Sequence, residues 1–258
     1  MNVLFFVVSF LASSVGAITG IGGGIIIKPV LDACKILPIS SISFLSGITV
    51  LSMAIVSILK NMHAGLKIGG RQTTFLAIGA AVGGILGKYL FQFIKACFET
   101  EHILGIMQSG ILFILTVLVF FYMKQKSKIV TYTIENAWIS IIAGLVLGVI
   151  SSFLGIGGGP VNLVLLYFLF SMDTKTAAAN SIYVIFFSQT ASLLYTVIGG
   201  TIPEFPLTSL IVMVSGGILG GFIGSAILKR ITVKNMQNIF MWLLIVIMLI
   251  CVYNIFAI

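Results

Sequence analysis

The chain has 258 residues, of which 59% are hydrophobic and only 8% charged. Soluble domains carry about a quarter charged residues, so this composition excludes a water-soluble globular protein. The net charge of +8 would suggest a nucleic-acid partner in a soluble chain, but here the basic residues fall in short loops between apolar runs, which is a membrane-topology pattern and argues against nucleic acid.

Apolar runs of about 20 residues recur along the chain, so lipid is its solvent. In hydrocarbon every backbone polar group needs an internal partner, which leaves helices or closed barrels. The runs are too long and too uniformly apolar for barrel strands. The expected fold class is therefore all-α, a polytopic membrane protein. In chain order its apolar segments are 2–18, 23–34, 40–60, 72–94 and 101–123, then 136–153, 158–171, 176–198, 206–228 and 234–257. The first could pass for a signal peptide, but it lacks a basic leading region and reads as a retained helix.

The chain repeats itself. Gly20-Ile21-Gly22-Gly23-Gly24 recurs 135 residues later as Gly155-Ile156-Gly157-Gly158-Gly159. Gly83-Gly84-Ile85-Leu86-Gly87 recurs 133 residues later as Gly216-Gly217-Ile218-Leu219-Gly220. The expected organisation is a first repeat at 1–123, a cytoplasmic linker at 124–134 and a second repeat at 135–258. Each second segment is too short to cross a bilayer at about 1.5 Å per residue, and each follows a glycine cluster. The first two segments of each half therefore read as a re-entrant hairpin with its tip inside the membrane.

With each hairpin entering and leaving on one side, Lys60, Lys67, Arg71, Lys124, Lys126, Lys128, Lys229, Arg230 and Lys234 share a face. The other face holds both termini, Glu99, Glu101 and Glu204, with Lys35 and Lys95. By the positive-inside rule the chain sits in a cell (inner) membrane with both termini outside. Five segments per half invert the second half. An inverted repeat with broken helices is a transporter pattern, with its site near the midplane.

The candidate substrate site is built on the tips. Glycines Gly20, Gly22, Gly23 and Gly24, and Gly155, Gly157, Gly158 and Gly159, let backbone N–H groups face a cavity. The short helices after them present positive N-termini, which suit a small anion. Pro160 fits the first position of a helix, whereas Pro29 is expected to kink or end its helix. Thr19, Ser46, Asn162, Asn180, Ser181 and Gln189 are polar side chains within or beside the segments that can donate to oxyanions. Their bland role is interhelical bonding. Lys28 is an intramembrane charge that can complement an anion, snorkel, or pair with Asp32 one turn on. The ladders Gly79, Gly83, Gly87 and Gly216, Gly220, Gly224 read as packing surfaces.

Other chemistries lack their residues. The glycine clusters miss the strand, spacing and acid of a dinucleotide fingerprint, and Gly83 to Lys88 is no phosphate loop. Cys34, Cys97 and Cys251 have no metal or redox spacing, and no catalytic constellation emerges. No cofactor and no enzyme activity are expected. The coupling ion and the oligomeric state have no signal in the sequence.

A GxGGG tip followed by a short helix, once in each half, resembles the TauE/SafE family of anion permeases, the sulfite exporters. The resemblance covers essentially the whole chain. It implies transport of small sulfur-containing anions such as sulfite or sulfonates. By its motif the substrate-lining role falls on the two glycine tips and Pro160, with Ser46, Asn180 and Ser181 at the family's small polar positions. The expected function is a secondary transporter working by alternating access. An anion channel is the alternative, and a membrane enzyme or assembly factor a third class without supporting residues.

Overall fold

The computed structural model describes residues 1–63, 65–98 and 100–257. Glu99, counted in the charge argument above, lies outside the described residues. These residues form ten α-helices: α1 (Asn2–Thr19), α2 (Gly24–Cys34), α3 (Ile39–His63), α4 (Arg71–Cys97), α5 (Glu101–Gln125), α6 (Ala137–Leu154), α7 (Pro160–Phe170), α8 (Thr174–Ile198), α9 (Leu207–Arg230) and α10 (Val233–Ala257). Eight are long and apolar enough to cross a membrane; α2 and α7, at 11 residues each, are not. Their outer faces expose large apolar side chains, among them Trp138, Trp242 and Phe256, as lipid contact requires.

The helix ends follow local chemistry. The Asp173 carboxylate accepts from the N–H groups of Lys175 and Thr176, both at 3.1 Å, and starts α8. Asn136 starts α6 in the same way through Trp138 N–H at 2.9 Å. Pro160 opens α7, where its missing N–H costs nothing. Pro29 neither ends α2 nor stops it short: the helix continues to Cys34, and Asn254 Nδ2 donates to the Pro29 carbonyl at 3.0 Å. The linker is not a free loop. Tyr132 N–H and Ile134 N–H donate to the carbonyls of Phe168 and Leu169, which meets the orphan acceptors at the end of α7.

Glycine ladders set the packing. Gly216, Gly220 and Gly224 of α9 lie against Phe6, Phe10 and Ser14 of α1, so the two helices run parallel. Gly79, Gly83 and Gly87 of α4 lie against Ile141, Leu145 and Val149 of α6, again in parallel. A Cβ at any of these positions would meet the neighbouring backbone, so the ladders bring main chain against main chain. Gly217 and Gly221 pack α9 on α3, and Gly84 packs α4 on α8. Further contacts join α3 to α8, α5 to α10, α2 to α10, α2 to α3, α1 to α2, α7 to α8 and α5 to α7.

The connections gather at two ends of the bundle. At one end Ser40 at the start of α3 bonds Glu101 at the start of α5, and Ser41 Oγ donates to the Glu204 carbonyl before α9. At the other, Asn180 at the start of α8 bonds the α3–α4 loop, Gln72 Nε2 donates to the Glu135 carbonyl, and Lys175 Nζ to that of Lys229.

Candidate substrate site

The α1–α2 and α6–α7 turns meet inside the bundle. Gly20 ends α1 at φ 78° and Gly155 ends α6 at φ 65°, in the left-handed region that side chains disfavour. At two positions, one on each tip, there is no room for a methyl group. A Cβ on Gly24 would strike the Ile156 carbonyl, and one on Gly158 would come within 3.1 Å of the Ile21 carbonyl oxygen. Ile21 and Ile156 are the second residues of the two pentapeptides, so the contact is reciprocal.

Two helix faces flank the tips. On α3 these are Ser43, Ser46 and Val50, and on α8 Ala178, Ser181 and Ile185, each set spaced i, i+3, i+7 on one face. Ser43 packs on Gly155, Ser46 on Gly24 and Val50 on Gly157. Ala178 packs on Gly20, and Ile185 on Gly22 and Gly158. Ser181 lies between Ala178 and Ile185 on that face. The hydroxyls of Ser43, Ser46 and Ser181 are buried without a hydrogen-bond partner. An unmet buried polar group costs about 1–3 kcal/mol; the hydroxyls of Ser9, Ser13, Ser151 and Ser188 are buried in the same state.

Lys28 does not snorkel. It is 3% exposed, and its Nζ lies 2.6 Å from Asp32 Oδ2, the pairing that their spacing suggests. Its Cε would lie 3.3 Å from a Cβ on Gly155, which puts the ion pair of the first half beside the tip of the second. The second carboxylate oxygen, Asp32 Oδ1, is buried without a partner.

The other expected site residues divide. Gln189 reaches the tips, with its side-chain carbon 3.3 Å from a Cβ on Gly157. Asn162 lines a small void with Ser151, Gly158, Gly159 and Pro160, all at the second tip. Gly23 packs on Ser13 of α1. Thr19 returns its hydroxyl to the Val15 carbonyl at 2.8 Å, within its own helix. Asn180 is committed elsewhere: its Nδ2 donates to the carbonyls of Lys67 and Thr176, both at 2.9 Å, and its Oδ1 accepts from Gly69 N–H at 3.0 Å. The amide is spent on holding the α3–α4 loop, not on the tips.

Two features escaped the sequence reading. Ser43 carries a signal there, one turn before Ser46 on the same face. Lys88 carries a stronger one, a charge within the apolar run 72–94. It is 8% exposed and lines a cavity of about 430 Å³ at the end of the bundle where α3 and α5 begin. Ser40, Gln92, Lys95, Thr201 and Ile202 line it too, and Gln92 donates to Thr201 across it. Glu101 braces one wall by pairing with Lys95 at 2.7 Å and accepting from Ser40 N–H at 2.9 Å and Ser40 Oγ at 2.7 Å.

The family described as Sulfite exporter TauE/SafE matches residues 5–250. A protein named probable membrane transporter protein YunE, from Bacillus subtilis, is 24% identical over 95% of both chains. The probable membrane transporter protein MamO of Magnetospirillum gryphiswaldense is 29% identical over 39% of this chain, a match that spans only 17% of that relative's own length. No solved structure matches the chain.

Proposed function

The chain belongs to the TauE/SafE sulfite exporter family, and from that premise we propose that it is a secondary transporter of small sulfur-containing anions working by alternating access. The reading rests on one observation above all: two glycine tips in mutual contact, flanked by the partnerless hydroxyls of Ser43, Ser46 and Ser181. The backbone N–H groups of Gly20 and Gly155 cap α1 and α6 on the carbonyls of Gly16 and Ser152, while those of Gly22, Gly23 and Gly24 and of Gly157, Gly158 and Gly159 supply further donors. A substrate oxyanion would part the tips and accept from these groups, with Lys28, Gln189 and Asn162 around it and Pro160 fixing the start of α7. Thr19 and Asn180 support the site from behind.

The halves 1–123 and 135–258, with linker 124–134, are read as inverted repeats. Exchanging them leaves the pairings unchanged: α1 with α9 becomes α6 with α4, α3 with α9 becomes α8 with α4, and α2 with α10 becomes α7 with α5. The hairpins α1–α2 and α6–α7 are read as re-entrant from opposite faces. By the charge of the connections the end carrying Lys67, Arg71, Lys229 and Arg230 is cytoplasmic, and the termini are outside. Tips in van der Waals contact close the path through the centre, which favours a carrier over a channel. Export of an anion from a negative interior is downhill by about 2.3 kcal/mol per charge per 100 mV, so an exporter needs no coupling ion.

The test is counterflow of radiolabelled sulfite in liposomes holding the purified protein. Saturable exchange that a Gly158→Leu variant loses supports the reading. Flux that is absent for every oxyanion, or unaltered in the variant, refutes it.

A further inference from the structure

Lys88 stands where the repeat is broken. After the shared Gly-Gly-Ile-Leu-Gly run, the second half continues with Gly221, which packs on Met53, whereas the first half continues with Lys88. The substitution turns a helix contact into a buried cation, and it does so at one end of the bundle only.

The charges around it do not balance. Lys28 is held by Asp32 and Lys95 by Glu101, and Glu101 also caps α3 through Ser40. Among the described residues Lys88 has no carboxylate partner; its electrostatic neighbours are the cations Lys28 and Lys95. What it has is the Phe91 ring, 4.7 Å from its Nζ to the ring centroid. A largely buried ammonium without an anion is costly, and the cavity of about 430 Å³ that it lines leaves space for one to arrive.

The walls define what would fit. Lys88 offers a donor with no carboxylate partner among the described residues, Lys95 is already paired with Glu101, Gln92 with Thr201 and Thr201 with Thr196, and Phe91, Ile202 and Pro203 offer apolar surface beside them. We infer that this cavity is a second anion site, a vestibule in which Lys88 binds the head of a small organic oxyanion and the Phe91–Ile202–Pro203 wall takes its apolar part. Alkanesulfonates are the simplest members of that class. The inference rests on the anion-transport reading and names the kind of anion admitted at this end.

Binding and flux separate the two ideas. Radiolabelled ethanesulfonate is titrated onto the purified full-length protein, with butanesulfonate and sulfite as competitors, and sulfite counterflow is measured beside it. Binding should be saturable, with butanesulfonate the stronger competitor. Lys88→Gln should weaken binding by about tenfold or more, because a charge-assisted bond is lost, and Lys88→Arg should retain most of it. Phe91→Ala should erase the advantage of butanesulfonate while leaving ethanesulfonate bound. Wild-type affinity in Lys88→Gln, or sulfite competing better than butanesulfonate, overturns the inference even where counterflow is intact. Absent counterflow with Lys88-dependent binding defeats the transport reading and leaves the vestibule standing.

Discussion

Gly24 and Ile156 touch across the centre of the molecule, with the carbonyl of one tip lying where the other tip would carry a side chain. Gly24→Ala should therefore force the tips apart. Overpacking of this kind costs about 1–3 kcal/mol. The expected outcome is a lowered unfolding midpoint in detergent together with depressed sulfite counterflow. Gly65→Ala, in open space on a loop, is the control for the added methyl, although its φ of 76° adds a strain of its own.

The ladders make a sharper comparison. Gly79 and Gly110 both lie inside helices, but a Cβ on Gly79 would strike the Ile141 carbonyl, whereas one on Gly110 meets nothing within 4 Å. Gly110→Ala should stabilise by up to about 1 kcal/mol through helix propensity. Gly79→Ala should destabilise, because α4 and α6 must separate. Denaturant titration of the two variants reads the difference in sign.

Lys28 and Asp32 should behave as a unit. Removing one member of a buried pair typically costs about 3–5 kcal/mol, because the other is left charged and unpartnered. Lys28→Met alone should unfold at markedly lower denaturant, and adding Asp32→Leu should recover most of the loss. If the double variant is no more stable than the single one, the pair is not coupled as its 2.6 Å separation implies.

Asn180→Ala should loosen a loop without altering recognition. Two bonds to the α3–α4 loop disappear, each worth about 0.5–1.5 kcal/mol. Amide exchange over residues 65–70 should accelerate, most of all at Gly69, whose N–H donates to this side chain. The apparent KM for sulfite should stay at the wild-type value; a large rise would return Asn180 to the substrate.

Asp173 lies outside the spanning segments and carries a pH dependence. Burial alone would raise its pKa, but bonds from Thr176 and Lys175 outweigh that and hold it below the ordinary 3.8. Its contribution is thus full above pH 3.8 and is lost as pH falls through the lower, folded value. Asp173→Ala should cost about 0.5–2 kcal/mol at neutral pH. The gap between variant and wild type should close on acidification below 3.8.

The helices were legible because lipid demands long apolar runs and because glycine clusters interrupt them; the caps at Asn136 and Asp173 were not read. The tips were legible as a repeated motif. Their reciprocal contact was not, since Ile21 and Ile156 are joined only by folding. Asn180 read as a ligand donor because an amide in a span needs a partner, and the loop that supplies it lies more than a hundred residues away. Lys88 was passed over beside its glycine ladder, although a lysine in an apolar run already asks what neutralises it.

The pairing of α1 with α9 sets a schedule for biogenesis. Phe6 leaves the ribosome 210 residues before Gly216, the partner on which it packs. At about 5–20 residues per second, α1 waits on the order of ten to forty seconds for α9, and its glycine tip stays unmet until Ile156 and Ala178 are delivered. During that interval its broken backbone must be sheltered by the insertion machinery or by the helices already delivered. A half-length chain would never reach the end of that wait, so truncation at the linker should yield a substrate for membrane proteases rather than half a transporter.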